Sequence, residues 1–525
     1  LQLFNLKTGT NESEKQTITS NMATCGIPTV TCVLLLLFMA VLYGTAHANA
    51  DNSPTINQDI SEGDGEMMDA RFRRSARQKD AQSDKASRKG NKRGPQEKID
   101  GNKVSAKRNG GKKKEKGKKK QAGKKSSGNA IPPGVNRKTL AFAERVGSAN
   151  SQFASKVMKA IYPKIQYNTI ISPLSIHTAM SMVLLGARKT TERELSLALG
   201  LRQAKVEKGQ QVHKGYQTLL AMLTSVNPNV NLNIANAVFV KPNIPVEAAY
   251  RNSLISLYNA TFESFNFSNA AGPEAPINDW VYNATSKKIK DLLSPGTINS
   301  LTSMVLVNAL FFNASWDRPF SEGTTSMKPF NTLSQGVKDV ETMETTNLFS
   351  YVNNSGAEVI ELPFRGDRMA MYIILPSRSS SVDQIVEELS NTQKYGQDAA
   401  DRIFRNMEPT SIHLELPKYK IESDSLKLKS SLQSLGIKEA FSDKADLSGI
   451  SSVDLSIDDV IHKAFIDVNE RGTEASAATA ALLTRRSRPT VKSTDVKVDR
   501  PFVFAIRDKP TKAVLFVGAF VGQTS

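Results

Sequence analysis

Residues 137–525 are predicted to fold as one α+β domain, and three features of the sequence say so. Helical periodicity dominates the first part of the stretch and extended runs dominate the last, so helices and strands are segregated and do not alternate as βαβ units. The final two runs, "RPFVFAIRD" and "AVLFVGAFV", are apolar at almost every position, as strands buried on both faces are. No segment repeats, and the only cysteines, Cys25 and Cys32, precede the domain, so stability must come from a large core and not from disulfides.

Each element has a local reason. Phe153, Val157 and Ile161 stand four apart, a helical face that stops at Pro163. In "SPLSIHTAMSMVLLGA", Ser172 suits the N-cap and Pro173 the first helical position. Ile176, Met180 and Leu184 repeat at four with apolar residues on the other faces too, which predicts a buried helix. "TTERELSLALG" offers a capping box, Thr191 with Glu194, and a Gly200 stop. Strands are predicted at "LNIANAVFV", "SMVLVNALFF", "MAMYIILP" and "SIHLELPKYKI", before the two apolar runs.

The residues ahead of the domain are of another kind. Residues 1–21 contain no methionine and read as upstream translated sequence or a fragment edge. From Met22, the apolar run Val30–Leu42 followed by Ala48-Asn49-Ala50 reads as a secretory signal cut after Ala50; a signal-anchor helix that stays in the membrane is the alternative, against which the short apolar run counts. Residues 51–70 carry six acids and no Lys or Arg, and residues 71–126 carry 23 Lys/Arg against five Asp/Glu. The rest, 127–525, is near balance at 44 basic to 38 acidic, so the net charge of +18 belongs to one stretch. With few branched or aromatic side chains, 51–136 is expected to be disordered. Secretion agrees with five glycosylation sequons, at Asn259, Asn266, Asn283, Asn313 and Asn353.

Between Lys112 and Lys125 lie Lys112, Lys113, Lys114, Lys116, Lys118, Lys119, Lys120, Lys124 and Lys125, with one glutamate and no aromatic. Without a ring to stack on bases, nucleic acid is not the expected partner. An extended cation run suits a sulfated polysaccharide of the heparin kind, by the counterion release known for DNA; a plain solvated linker is the bland alternative. "RFRR", Arg71–Arg74, fits a convertase site whose cleavage would remove the acidic stretch.

Nothing points to catalysis, a metal or a cofactor. Beyond residue 50 there are four histidines, His177, His213, His413 and His462, and there is no G-x-S-x-G, H-E-x-x-H or Gly-rich phosphate loop. Each histidine reads first as a satisfied core or surface residue.

One segment does call for a function. "ERGTEASAATAALLTRRSRPT", residues 470–490, follows a charged pair and a glycine with a run of Ala, Ser and Thr and ends in a basic cluster before Pro489. In an extended strand Thr473, Ala475, Ala477 and Thr479 would share one face. Small side chains let a strand slide into an occupied sheet without displacing core atoms. A flexible Ala/Ser linker is the alternative.

The ordered motifs "ISPLSIHTAMSMVLLGA", "INDWVYNATSKKIKDLL", "LTSMVLVNALFFNASWDRPF", "IHKAFIDVNERGTEASAAT" and "RPFVFAIRD…VLFVGAF" resemble the serpin family over about residues 138–525. The resemblance implies the serpin fold, with a central, mainly antiparallel sheet, flanking helices and an exposed reactive-centre loop. A protease cuts that loop as bait, and the cut strand inserts into the sheet while the acyl-linked protease is carried across the domain. It makes Glu470, Gly472, Thr473, Ala475, Ala477 and Thr479 the hinge. Counted from Glu470, the seventeenth residue, Arg486, is the bait, with Ser487 after the reactive bond and Arg485 and Arg488 beside it. Arginine suits the carboxylate of a trypsin-like pocket. The Arg485–Arg488 pattern also fits a furin-like convertase, although Pro489 would follow that cut. The resemblance assigns Ser172, Ser175, Asn308 and His462 to a polar cluster where the sheet opens. It assigns Trp316 and Lys418, with Glu470, to the place where insertion begins. The helix that binds heparin in some serpins, here about residues 212–225, has Lys214 as its one fixed cation. The expectation is a secreted, monomeric, covalent inhibitor of a trypsin-like serine protease; a non-inhibitory serpin or a polyanion- and matrix-binding protein are the alternatives.

Overall fold

A computed structural model describes residues 135–206, 209–225, 230–354, 356–391, 403, 404, 406–473 and 493–522. The expected signal, acidic stretch and lysine run, and all of 474–492 within the loop, lie outside the described residues.

Helices lead the described residues. The first, α1 (Arg137–Ile161), opens on a capping box in which Asn136 accepts from Lys138 and Thr139 and Thr139 reaches back to the Asn136 N–H. After the short strand β1 (Thr169–Ile171) comes α2 (Pro173–Gly186), capped by Ser172 with proline at N1 and almost entirely buried, as its sequence predicts. The next helix, α3 (Lys189–Ala198), ends in a Schellman turn. There Gly200 takes φ +68°, its N–H donates to the Leu197 carbonyl, and Leu201 donates to Ser196. Its start corrects the sequence reading. The helix begins two residues before Thr191, with Arg188 at the N-cap. Thr191 donates to Glu439 and accepts from the Asp446 N–H, while Glu194 accepts the N–H groups of Lys438 and Glu439. The two side chains satisfy a distant turn and not their own helix.

A seven-stranded sheet is built from β2 (Val230–Val240), β3 (Thr261–Ser264), β4 (Met304–Ser315), β10 (Tyr419–Glu422), β11 (Leu426–Lys427), β12 (Asp459–Asn469) and β13 (Gly472–Thr473). Its order is β10-β12-β13-β4-β2-β3, with β11 also on β12. Only β12–β4 and β2–β3 are parallel pairs, so it is mainly antiparallel. Alternation splits its two faces. Even-numbered residues of β4 and β12, such as Leu306, Leu310 and Ala464, enter the main core. Val305, Val307, Ile461 and Phe465 face a second cluster with Ile277 and Val281, residues of a helix at Glu274–Ala284.

A nine-stranded sheet holds β5 (Ser326–Asn331), β6 (Val337–Asn354), β7 (Ala357–Pro363), β8 (Met369–Pro376), β9 (Glu408–Pro417), β14 (Thr494–Lys497), β15 (Phe502–Asp508) and β16 (Val514–Phe520), with β1 at one edge. The apolar runs β8, β15 and β16 are buried along their whole length. The run read as one strand, "SIHLELPKYKI", is two. β9 ends at Pro417, β10 begins at Tyr419, and they belong to different sheets with Lys418 at the corner.

Candidate functional site

The site forms where β12 turns back on itself. After Asn469 the chain bends through Glu470 and Arg471, and Gly472–Thr473 runs antiparallel between two strands. Gly472 pairs with Ser315 of β4 and Asn469 of β12, and Thr473 with Ala314 and Val468. Only glycine fits here: φ is +153°, and a Cβ would stand 2.0 Å from the Ala314 carbonyl oxygen. Thr473 is fully buried, and its Oγ1 accepts the Ala314 N–H at 3.2 Å.

The turn is held by its carbonyls and by charge. The Asn469 carbonyl accepts from the Trp316 indole Nε1 at 2.9 Å, Arg471 from the Trp316 main-chain N–H and Glu470 from the Phe320 N–H, each also at 2.9 Å. Trp316 stacks on Phe364 at 4.7 Å, which fixes the indole. Glu470 Oε1 accepts from Thr325 Oγ1 at 2.8 Å and Lys418 Nζ at 3.4 Å. Burial alone would raise the Glu470 carboxyl; its own N–H, Thr325 and Lys418 together hold it below the ordinary value. The Arg471 guanidinium pairs with Glu322 at 2.8 Å. The structure thus brings Trp316, Lys418, Glu470, Gly472 and Thr473 together around one turn.

Below β13 the strands close. β12 and β4 pair directly from Asp459↔Val305 to Ala464↔Leu310, and between that pair and β13 residues 311–313 face 465–467 across an unpaired seam. In the closed part sit the other four predicted residues, all buried. His462 lies opposite Asn308. The Ser172 N–H donates to His462 Nε2 at 3.0 Å, and Ser172 Oγ accepts the Ser175 N–H. Burial pulls His462 down to about 4 against a small opposing pull from the Asn308 carbonyl, so the ring is neutral at pH 7. With Nε2 accepting, the proton sits on Nδ1, on which the Asn308 carbonyl acts; among the described residues Asn308 Oδ1 and Ser175 Oγ meet no hydrogen-bond partner.

One residue that sequence reasoning missed completes the row. Asn236 of β2 lies opposite Asn308 and accepts from its Nδ2, and Asn236 Nδ2 donates to the Tyr258 carbonyl at 3.3 Å. An asparagine in the middle of "LNIANAVFV" was the available signal, since a buried amide in an apolar strand needs partners.

The sequon residues Asn259, Asn266, Asn283 and Asn353 are exposed, whereas Asn313 is half-buried inside β4. Among the described residues no cluster of His, Cys, Asp and Glu could hold a metal, and no helix is long and apolar enough to cross a membrane. Lys214 is exposed on the helix at Gln210–Thr224. Ala475, Ala477, Thr479, Arg485, Arg486, Ser487 and Arg488 lie outside the described residues, as do the nine lysines from Lys112 to Lys125.

The family model described as Serpin (serine protease inhibitor) matches residues 148–522. "Serpin B6" of Pongo abelii is 32% identical over 379 residues, covering 71% of this chain and 98% of that protein. "Leukocyte elastase inhibitor" of Xenopus tropicalis is 34% identical over 388 residues, covering 72% of this chain and 99% of that protein. The crystal structure of Serpin48, described as a highly specific serpin of the insect Tenebrio molitor, superposes with a TM-score of 0.61 at 31% identity, over 72% of this chain and 97% of that one.

Proposed function

The chain belongs to the serpin family and is a protease inhibitor and not an enzyme, and on that premise we propose a secreted suicide inhibitor of trypsin-like serine endopeptidases. The protease serine attacks the Arg486 carbonyl, the Ser487 amine leaves, and the acyl-enzyme is trapped as the cut strand enters the seam between β4 and β12.

The observation that carries this reading is β13, the head of the hinge already paired on both sides. Its register sets where the rest would go. Ten steps on from Thr473↔Ala314, Leu483 would meet Met304, the first residue of β4. Six steps on, Thr479 would meet Asn308 on one side and His462 on the other, bringing a hydroxyl to the Asn308 amide oxygen. Arg486 would hang just beyond the far end of the strand. Sixteen steps from Glu470 span roughly 50 Å, enough to carry a protease across a domain.

Incubation with a panel of Arg-cleaving proteases, including a furin-like convertase, tests it. An SDS-stable complex is expected, with the loop cut after Arg486, and Arg486→Ala is expected to abolish it. Cleavage without complex would favour a non-inhibitory serpin. Unchanged inhibition by Arg486→Ala would move the bait to Arg485 or Arg488.

A second reading concerns the lysine run. The density of cations from Lys112 to Lys125 suits a heparin-like glycosaminoglycan, which would hold the inhibitor at cell surfaces or matrix and raise encounter rates with proteases there. The signal-like segment and the exposure of four sequon asparagines support secretion with glycosylation.

A further inference from the structure

We infer that the groove between α3 and the first turn of the Gln210–Thr224 helix is a binding site for a small zwitterion, a free α-amino acid with an aliphatic side chain. The inference is independent of the inhibitory reading.

α2, α3 and the Gln210–Thr224 helix together enclose a cavity of about 250 Å³. That is less than the roughly 300–1,000 Å³ of pockets for drug-sized ligands, and suits a smaller molecule. Leu184 and Leu185, from the last turn of α2, and Val212 give it apolar walls. On the α3 side, Arg188, Glu192 and Ser196 recur every fourth residue and so share one face, about 5–6 Å from each to the next.

His213 lines the opposite wall and is only 6% exposed. The Tyr258 hydroxyl gives its proton to the Ser181 carbonyl, which can only accept, so the 2.6 Å contact between Tyr258 and His213 Nδ1 is donated by the ring. Nε2 is left with a lone pair, and it meets no partner among the described residues. Burial pulls His213 down to about 4, so the ring stays neutral at pH 7 and the lone pair persists. The Glu192 carboxylate and the Ser196 hydroxyl also lack partners among the described residues.

Donors stand beside these acceptors. The helix that carries His213 starts at Gly209 with no side-chain cap and no acid in its first turn. The N–H groups of Gln210 and Gln211 meet no acceptor among the described residues, which leaves the positive end of the helix uncompensated. Arg188 adds a fixed cation. Its Nη1 donates to the Ala187 carbonyl at 2.7 Å and the Leu185 carbonyl at 3.3 Å, which pins the guanidinium at the C-terminal end of α2. Held there, it forms no ion pair with Glu192, one turn away.

Opposite charges that stay apart, bare helix N–H groups and a bare lone pair in one small cavity match the two ends of an amino acid. Its carboxylate takes the Gln210 and Gln211 N–H groups, drawn also by Arg188. Its ammonium donates to His213 Nε2 and Glu192, and its side chain lies on Leu184, Leu185 and Val212. A plain anion would meet the Glu192 charge and a plain cation the Arg188 charge, so a ligand carrying both is preferred.

Calorimetric titration and thermal unfolding of the full chain with leucine, valine and methionine test this. Isocaproate, which is leucine without its amine, and isoamylamine, which is leucine without its carboxylate, are the comparisons. Saturable binding and a Tm that rises with amino-acid concentration are expected. Each comparison compound should bind about tenfold to a hundredfold more weakly than leucine, the scale of one hydrogen bond to a charged group. Glu192→Gln alters an exposed side chain that holds nothing else in place, and should erase the preference for leucine over isocaproate. Gln210→Pro removes a donor at the first helical position, where proline is tolerated, and should weaken leucine and isocaproate by the same factor. Three results overturn the inference: no saturable binding of any of the three amino acids to cooperatively melting protein, isocaproate bound as tightly as leucine, or an affinity for leucine unchanged in both variants.

Discussion

Acidification should destabilise this domain well above the carboxylate range, because three histidines are buried neutral. His177, His213 and His462 are each pulled down to about 4, in every case chiefly by burial. Small opposing pulls come from the Leu199 carbonyl on His177 and the Asn308 carbonyl on His462. His177 Nε2 faces the Leu199 carbonyl at 2.9 Å, and His213 Nδ1 meets the Tyr258 hydroxyl at 2.6 Å. An exposed imidazole titrates near 6.5. The folded pKa is therefore depressed, and the unfolded chain binds protons first. The stability is fully present above about pH 6.5 and is lost as pH falls toward about 4. At pH 5 each histidine costs roughly 2 kcal/mol, about 6 kcal/mol together, a large share of the 5–15 kcal/mol typical of a folded domain. The carboxylates with depressed values, Glu344, Asp446, Glu470 and Asp499, lose their contribution only at lower pH, so the window isolates the histidines. Urea unfolding at pH 7 and pH 5, with proton uptake on unfolding measured near pH 5.2, should give about 2.7 protons. His462→Gln should remove about one. Stability that changes by less than 1 kcal/mol between those pH values, or uptake near zero, would refute the reasoning.

Thr473→Arg should place an unpaired charge in the seam at a cost of about 3–5 kcal/mol, so the hinge leaves the sheet and the variant is cut as a substrate; stable complexes in an inhibition assay would show that the inward face is misassigned. Because the Trp316 indole donates to Asn469, its fluorescence should change in the same variant before any cleavage. Asp508→Ala should cost about 3–5 kcal/mol in urea unfolding, because the fully buried carboxylate meets Arg368 at 2.7 Å and its loss strands that guanidinium. Deleting residues 103–126 should abolish heparin retention at physiological salt and leave heparin-free inhibition intact; elution at the same salt as the full chain would make the lysine run a linker.

Backbone signals that act within a few residues were legible in the sequence. Ser172-Pro173 opens a helix, Gly200 closes one in the left-handed region, and "RPFVFAIRD" and "AVLFVGAFV" become fully buried strands, because capping, steric freedom and continuous apolarity need no knowledge of the partner. The segment from Glu470 drew notice for the same reason: the small side chains that follow Gly472 are a local property of the sequence. What each element touches was not. The strand β6 was missed because its 18 residues serve three partners, β5, β9 and β7 in turn, and no single alternation runs its length. The local grammar of Thr191 and Glu194 fits a capping box, yet their hydrogen bonds go to residues 438–446, nearly 250 positions away. The pairing of β13 with both β4 and β12, and the row Asn236–Asn308–His462, exist only once strands far apart in the chain lie side by side. Tertiary packing alone decided them, because a buried donor or acceptor is defined by the partner it finds or lacks.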